Sequence, residues 1–232
     1  MPYQPPYTLN DDIVTLVAGI QERLVRLALD GTQEAVLRLR RINRIRTVTG
    51  SLAIEGNTLS EAQITALLEG KRVIAPPREI LEARNALAVY ARLADWQPAR
   101  EDDLLAAHKL MMDGLIDQAG VYRTGGVGVM SGDQVIHMAP PANQVPRLMA
   151  DLLAWLARTE AHPLIASTVF HYEFEFIHPF ADGNGRMGRL WQTLILSHWR
   201  AVMADIPVEN LIHRHQADYY QALQESTEGT DC

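Results

Sequence analysis

Apolar residues recur at helical spacing along most of the chain. Residues 12–29 form an amphipathic pattern, opened by Asp11 or Asp12 and closed by Gly31. A longer pattern covers about 33–55 and stops at Gly56-Asn57, a helix-ending pair. Ser60 opens a short helix, Gln63 completes a capping box with it, and Gly70 closes it. Beyond Pro76-Pro77 the spacing predicts helices over 78–95, 101–114, 143–159, 162–177, 186–200 and near 214–225. Residues 120–142 break this rhythm. They hold five of the 15 glycines and two of the 12 prolines, and they read as a strand over 127–130, a turn at Ser131-Gly132-Asp133 and a strand over 134–138. The expected fold class is all-α with one small β-hairpin at about 126–139. Residues 226–232 have no pattern and read as a linker-like tail, cut before a further domain.

Composition narrows the function classes. The chain has 232 residues, enough to bury a core without staples. No apolar run approaches the ~20 residues of a membrane span, and the first residues lack the basic-then-apolar order of a secretory signal. The single cysteine, Cys232, excludes a disulfide framework, a zinc finger and a CxxC redox pair, so a reducing, cytoplasmic setting is expected. A net charge of −7 argues against nucleic acid as a partner of this chain. One local exception is the run of Arg38, Arg40, Arg41, Arg44 and Arg46, interleaved with Leu39, Ile42 and Ile45. It reads as a solvated helix face around one apolar stripe.

The chemistry is concentrated between His178 and Arg189. The chain has no GxxxxGK[ST], GxSxG or HExxH, and its Gly126-x-Gly128 lacks the third glycine of a dinucleotide loop. Instead, Gly183-Asn184-Gly185 stands immediately before an apolar helical face formed by Met187, Leu190, Trp191, Leu194, Ile195 and Trp199. Glycines at a helix start let a ligand reach the main chain, and the free N–H groups there favour an anion. Arg186 and Arg189, three apart, supply two cations on one side. Asp182 adds a carboxylate of the kind that holds Mg²⁺ together with phosphate oxygens. His178, at the other lip, is a residue type that takes a proton from a hydroxyl near neutral pH. Base, metal ligand, anion nest and two cations within twelve residues describe phosphoryl or nucleotidyl transfer.

A competing pattern uses His171, Glu175, His178 and Asp182, spaced by 4, 3 and 4. On one unbroken helix these would form a dimetal face, but that architecture needs a second ExxH, which this chain lacks. His108, His137, His162, His198, His213 and His215 have no partner that the sequence identifies.

The segment His178-Pro179-Phe180-Ala181-Asp182-Gly183-Asn184-Gly185-Arg186-Met187-Gly188-Arg189 fits HPFx[DE]GNGRxxR at every fixed position. It resembles the signature of the Fic (filamentation induced by cAMP) family of AMP-transferases. Gly120-Val121-Tyr122-Arg123, the hairpin after it, and Phe170-His171-Tyr172-Glu173-Phe174 also resemble that family. The resemblance implies a Fic catalytic domain over 75–225, behind an N-terminal helical region over 1–74. It implies His178 as general base, Asp182 as Mg²⁺ ligand, and Gly183, Asn184 and Gly185 as phosphate binders, Asn184 partly by its side chain. Arg186 would meet the inner phosphates of ATP and Arg189 the γ-phosphate, while Phe180 would anchor the loop. The hairpin would be a flap along which a target segment docks over 127–138. The reaction implied is AMP transfer from Mg-ATP to a Tyr, Thr or Ser hydroxyl of a protein.

Residues 51–56, Ser51-Leu52-Ala53-Ile54-Glu55-Gly56, fit the family's inhibitory pattern [ST]xxxE[GN]. They resemble the class with an N-terminal inhibitory helix, in which Glu55 would pair with Arg189 and misalign the phosphates. Glu55 could instead position water to remove AMP, and a non-catalytic interaction module is a third reading. Self-modification and a homodimer are further expectations.

Overall fold

The computed structural model describes residues 2–29, 33–131, 134–229 and 231. The turn expected at Gly132-Asp133, the stop at Gly31 and the terminal Cys232 lie outside the described residues. The chain runs α1 (Asp11–Leu29), α2 (Gln33–Ile54), α3 (Glu61–Leu68), α4 (Pro77–Ala91), α5 (Glu101–Met111), β1 (Gly128–Ser131), β2 (Gln134–Met138), α6 (Val145–Leu156), α7 (Pro163–Ile177), α8 (Asn184–Trp199), α9 (Val208–Arg214) and α10 (Gln216–Gly229). Short 3-10 turns lie at Leu93–Asp95, Ala142–Gln144 and Ala201–Asp205. The architecture is helical, as the apolar period predicts. β1 and β2 pair antiparallel, with a register shift between Val129 and Met130. Among the described residues no helix is long and apolar enough to cross a membrane.

Helix ends follow local chemistry. Ser60 and Gln63 form the expected capping box at the start of α3. α2 ends in a Schellman motif: Gly56 has φ 85°, its N–H donates to Ala53 O at 3.0 Å, and the Asn57 N–H donates to Leu52 O at 3.1 Å. Two elements depart from expectation. α9 is only seven residues long, too short to show a helical period. α10 continues past residue 225 to Gly229, so most of the expected tail is helical. Its outer turns are held by polar pairs, Gln221 to Glu225 at 2.8 Å and Gln224 to Glu228 at 2.9 Å, which leave no apolar period to read.

The core is built on α7 and α8, which pack against each other. Phe170, Phe174, Phe180, Met187, Leu190, Trp191 and Leu194 are wholly buried. Each large apolar side chain so buried contributes about 1.5–3 kcal/mol. The loop joining the two helices is therefore carried on a deeply buried part of the molecule. α2 crosses this pair and is itself held by α4 and α9. Gly50 permits the α2–α9 approach, because a Cβ there would lie 2.6 Å from the Asn210 backbone nitrogen. The arginine run on α2 pairs with carboxylates: Arg40 with Asp205 at 2.9 Å, Arg41 with Glu69 at 2.6 Å and Arg46 with Glu61 at 3.8 Å.

Candidate active site

α7 stops at Ile177, and His178 turns the chain in a left-handed conformation (φ 49°, ψ 61°). It is the one non-glycine residue with positive φ among the described residues. Such a backbone costs about 1–3 kcal/mol and persists only where its surroundings hold it. Here the His178 N–H donates to Phe174 O at 2.9 Å, and its carbonyl accepts from Arg123 Nε at 2.8 Å. The imidazole Nδ1 lies 3.4 Å from the Glu175 carbonyl and 4.0 Å from its Oε2. The left-handed turn and the proline after it take Asp182 off the α7 face that carries His171 and Glu175.

The loop after His178 is braced from inside. Phe180 is wholly buried and stacks on His108 of α5, with centroids 3.6 Å apart and planes 4° from parallel. The Gly120 N–H donates to His108 Nδ1 at 2.8 Å, so Nε2 carries the proton and donates to Asp182 O at 3.0 Å. Burial brings His108 down to about 4, against the hydrogen bond to Asp182, so it is a neutral brace. Both polar atoms of the Asn184 side chain are engaged within the loop. Its Oδ1 accepts from the Phe180 N–H at 2.8 Å and its Nδ2 donates to Phe180 O at 2.9 Å. Its side chain shapes the loop, and its main-chain N–H lies in the first turn of α8.

α8 starts behind Gly183, whose φ of 82° and close contact with Met112 suit glycine alone. No side chain caps the helix, and the first turn of any helix leaves N–H groups without intrahelical acceptors. Asp182 Oδ1 accepts from the Gly183 N–H at 2.6 Å and from Arg186 at 3.2 Å. Its Oδ2 has Arg78 3.7 Å away, and the side chain is 42% exposed. That half-open carboxylate fits Mg²⁺, which takes one or two carboxylates and completes its shell with phosphate and water oxygens. Arg186 is buried, and its Nε has no acceptor among the described residues, which leaves a buried donor suited to an anion.

Arg189 lies deeper, 2% exposed. It donates through NH2 to Glu55 Oε1 at 2.7 Å and to Ser51 O at 3.1 Å, and its Nε is 3.4 Å from Ser51 Oγ. Burial works against its charge, but Glu55, with Tyr219 and Glu175, more than offsets this, so its pKa lies above the ordinary arginine value. The Glu55 carboxylate also rests on the start of α8, because a Cβ on Gly185 would lie 2.6 Å from its Oε1. Ser51, Glu55, Gly185 and Arg189 thus meet at one point, although 134 residues separate Glu55 from Arg189.

A buried polar cluster extends inward from there. Glu175 is driven up to about 7 by burial, with Arg189 lowering and Glu55 raising it. Its Oε1 has no hydrogen-bond partner among the described residues and lies 2.4 Å from where a Cβ on Gly188 would stand. His171 is brought down to about 4 by burial and shares a 2.7 Å hydrogen bond with the Tyr219 hydroxyl of α10. Sequence reasoning missed His108, Arg78, Glu82 and Tyr219 as site neighbours. His108 had a readable signal, since it lies on the apolar stripe of α5 with Leu104, Ala107 and Met111. Exposed Arg78 and the half-buried Glu82, 3.9 Å from Arg186, had none, because ordinary helix positions become site rim only through tertiary packing.

The chain is similar to known proteins. The model of the Fic/DOC family matches residues 98–196. A crystal structure of a Fic family protein from Desulfovibrio desulfuricans G20 is 58% identical and superposes with a TM-score of 0.93, over 99% of this chain and 70% of that one. The protein adenylyltransferase fic-1 of Caenorhabditis briggsae is 30% identical over 90% of this chain and 43% of its own length. The protein adenylyltransferase Fic of Aedes aegypti is 29% identical over 90% of this chain and 42% of its own. The chain therefore spans less than half the length of these two curated relatives.

Proposed function

The chain belongs to the Fic/DOC family, and from that premise we propose that it is a protein adenylyltransferase restrained by its own Glu55. His178 takes the proton of a Tyr, Thr or Ser hydroxyl. The hydroxyl oxygen bonds to the α-phosphorus of ATP, the bond from that phosphorus to the bridging oxygen breaks, and pyrophosphate leaves. Main-chain N–H groups of Gly183, Asn184 and Gly185 hold phosphate oxygens at the start of α8. Arg186 meets the inner phosphates through its unpartnered Nε, and Arg189 meets the γ-phosphate once Glu55 has left it. Asp182 would hold Mg²⁺, which when bound neutralises charge on the phosphates. The pair β1–β2 offers main-chain groups at a strand edge on which an extended target segment can add.

The observation that carries this reading is the position of Glu55. A carboxylate 2.7 Å from a buried arginine and against Gly185 is an anion already seated where a phosphate would bind. A nucleotide entering beside it is held off line, and a displacement of about 1 Å costs roughly 100-fold in rate. A second reading, removal of AMP by a water that Glu55 positions, draws on the one-third exposure of the Glu55 side chain.

The test is label transfer from α-labelled ATP with Mg²⁺, to the protein itself and to a cell extract. Wild type, Glu55→Gly and Glu55→Gly/His178→Ala are run together, with γ-labelled ATP as control. The expected result is α-label on protein in the Glu55→Gly lane, at least tenfold above wild type, and background in the double variant. Label arriving from γ-labelled ATP instead would mean phosphoryl transfer. No label from folded, ATP-binding Glu55→Gly protein would overturn AMP transfer and favour AMP removal.

A further inference from the structure

One buried cation takes no part in the roles above. Arg123 is 3% exposed, and among the described residues no carboxylate pairs with it. Its guanidinium is satisfied by carbonyl oxygens instead. Nε donates to His178 O at 2.8 Å, and NH2 donates to Ile177 O at 3.2 Å. These are the final carbonyls of α7, where the helix dipole welcomes a cation. The remaining bonds lead elsewhere: NH1 donates to Gly125 O at 2.9 Å and NH2 to Pro140 O at 2.5 Å. Gly125 stands just before β1 and Pro140 just after β2, below the point where the Ala139 N–H donates to Val127 O at 3.3 Å. The backbone N–H of Arg123 completes the set with a 2.9 Å bond to Pro179 O.

One side chain therefore holds both feet of the strand pair and the peptide that fixes His178 in its left-handed turn. Only arginine can do this. Its planar fork presents five N–H donors in diverging directions, whereas lysine offers a compact charge on a flexible stem. A scaffold residue that merely filled space would not need four separate carbonyls drawn from two different parts of the chain.

We propose that Arg123 is a positioning residue that sets the register between the strand pair and His178, so that an acceptor hydroxyl carried on the strands arrives at the imidazole. This rests on reading His178 as the base and the strand pair as the acceptor dock. Arg123 touches no reacting atom. Its effect falls on acceptors delivered by the strands, and less on water, which needs no strand to reach the α-phosphorus.

The experiment compares Glu55→Gly with Glu55→Gly/Arg123→Gln and Glu55→Gly/Arg123→Lys, using α-labelled ATP and Mg²⁺. Two products are counted, AMP bound to protein and free AMP released by water. Thermal melting and calorimetric ATP affinity are measured on the same samples. The expected result is cooperative melting, ATP affinity within about twofold, and a protein-bound to free AMP ratio at least tenfold lower in both arginine variants. Arg123→Lys keeps the charge at the end of α7, and it carries the comparison if Arg123→Gln does not fold. An unchanged ratio, even with both products slowed, would make Arg123 a scaffold residue and overturn the proposal alone. A loss of ATP affinity matching the loss of transfer would do the same. No label and no AMP from folded Glu55→Gly would overturn the transfer reading, and this proposal with it.

Discussion

The guanidinium of Arg189 is buried beside one paired carboxylate, and that carboxylate belongs to a different helix. Removing Glu55 takes away the carboxylate bonded to this cation and leaves its bonds to Ser51, with Glu175 and Tyr219 nearby. Hydrogen bonds to charged groups are worth about 1.5–3 kcal/mol, and the partial exposure of Glu55 reduces its share. Glu55→Gly is therefore expected to melt several degrees below wild type without nucleotide. Saturating ATP should return more of the lost stability in the variant than it adds to wild type, because an anion refills the gap. Calorimetric melts with and without ATP check this, and equal ATP stabilisation of both proteins would contradict it. Two neighbours of Arg189 titrate in opposite senses. His171, held down at about 4 against an ordinary 6.5, contributes stability that is complete above 6.5 and is lost as pH falls toward 4. Glu175, held up at about 7 against 4.5, contributes stability that is complete below 4.5 and is lost as pH rises toward 7. Between 4.5 and 6.5 the two slopes cancel, each about 1.4 kcal/mol per pH unit. Relative to wild type, His171→Asn should gain stability on acidification through that window and Glu175→Gln should lose it, as read from urea midpoints at several pH values.

At the scale of elements, the site consists of helix ends. Glu55 stands one residue past α2, His178 stands at the stop of α7, and the first turn of α8 follows Gly183. These ends were legible because their chemistry is local: the Gly56-Asn57 stop, the Gly183-Asn184-Gly185 start, and apolar faces that identify α7 and α8. Apart from the Glu55–Arg189 pair, which the family resemblance implied, what holds the ends together was not legible, because it lies in contacts between distant residues. Asn184 shows the limit from one side, since its presence in the motif does not say that its side chain turns back on Phe180. His108 shows it from the other, as a lone histidine 72 residues before Phe180 that stacks on its ring. The consequence is testable. His108→Phe keeps the stack on Phe180 but leaves the Gly120 N–H and Asp182 O without their partner. An unsatisfied buried polar group costs about 1–3 kcal/mol, so the variant should melt lower. In a Glu55→Gly background it should also transfer AMP at least tenfold more slowly, because the carbonyl that steadies Asp182 is released. A normal rate at a lowered melting temperature would show that the stack alone positions the loop.

For the molecule as a whole, α2 is enclosed by segments that lie before and after the loop at 178–185. On one side α4 holds it: Asn57 Nδ2 donates to Glu82 Oε2 at 2.9 Å and to Glu79 O at 3.2 Å. On another, α8 offers Arg189. The third side is supplied by residues after α8. Asn43 Nδ2 donates to Asp205 O at 2.8 Å, α9 lies against Gly50, and Gln216 Nε2 donates to Ile54 O at 3.2 Å, one residue before Glu55. Glu55 is therefore held through the C-terminal helices as well as through its own ion pair. Gly50 separates these contributions, because it lies on α2 and its nearest neighbours are the α9 backbone at Glu209 and Asn210, not the loop at 178–185 or Arg189. In Gly50→Val the side chain must displace the α9 backbone, which would stand 2.6 Å from its Cβ. The expected outcome is a lower melting temperature together with AMP transfer raised several-fold over wild type, since α2 can then shift and carry Glu55 off Arg189. Adding Glu55→Gly to Gly50→Val should give no further activation beyond Glu55→Gly alone, because both act through the same carboxylate. A destabilised Gly50→Val protein with wild-type transfer would mean that α4 and Arg189 suffice to seat Glu55. Activation that adds to that of Glu55→Gly would mean that α9 restrains the site by a route other than the inhibitory helix.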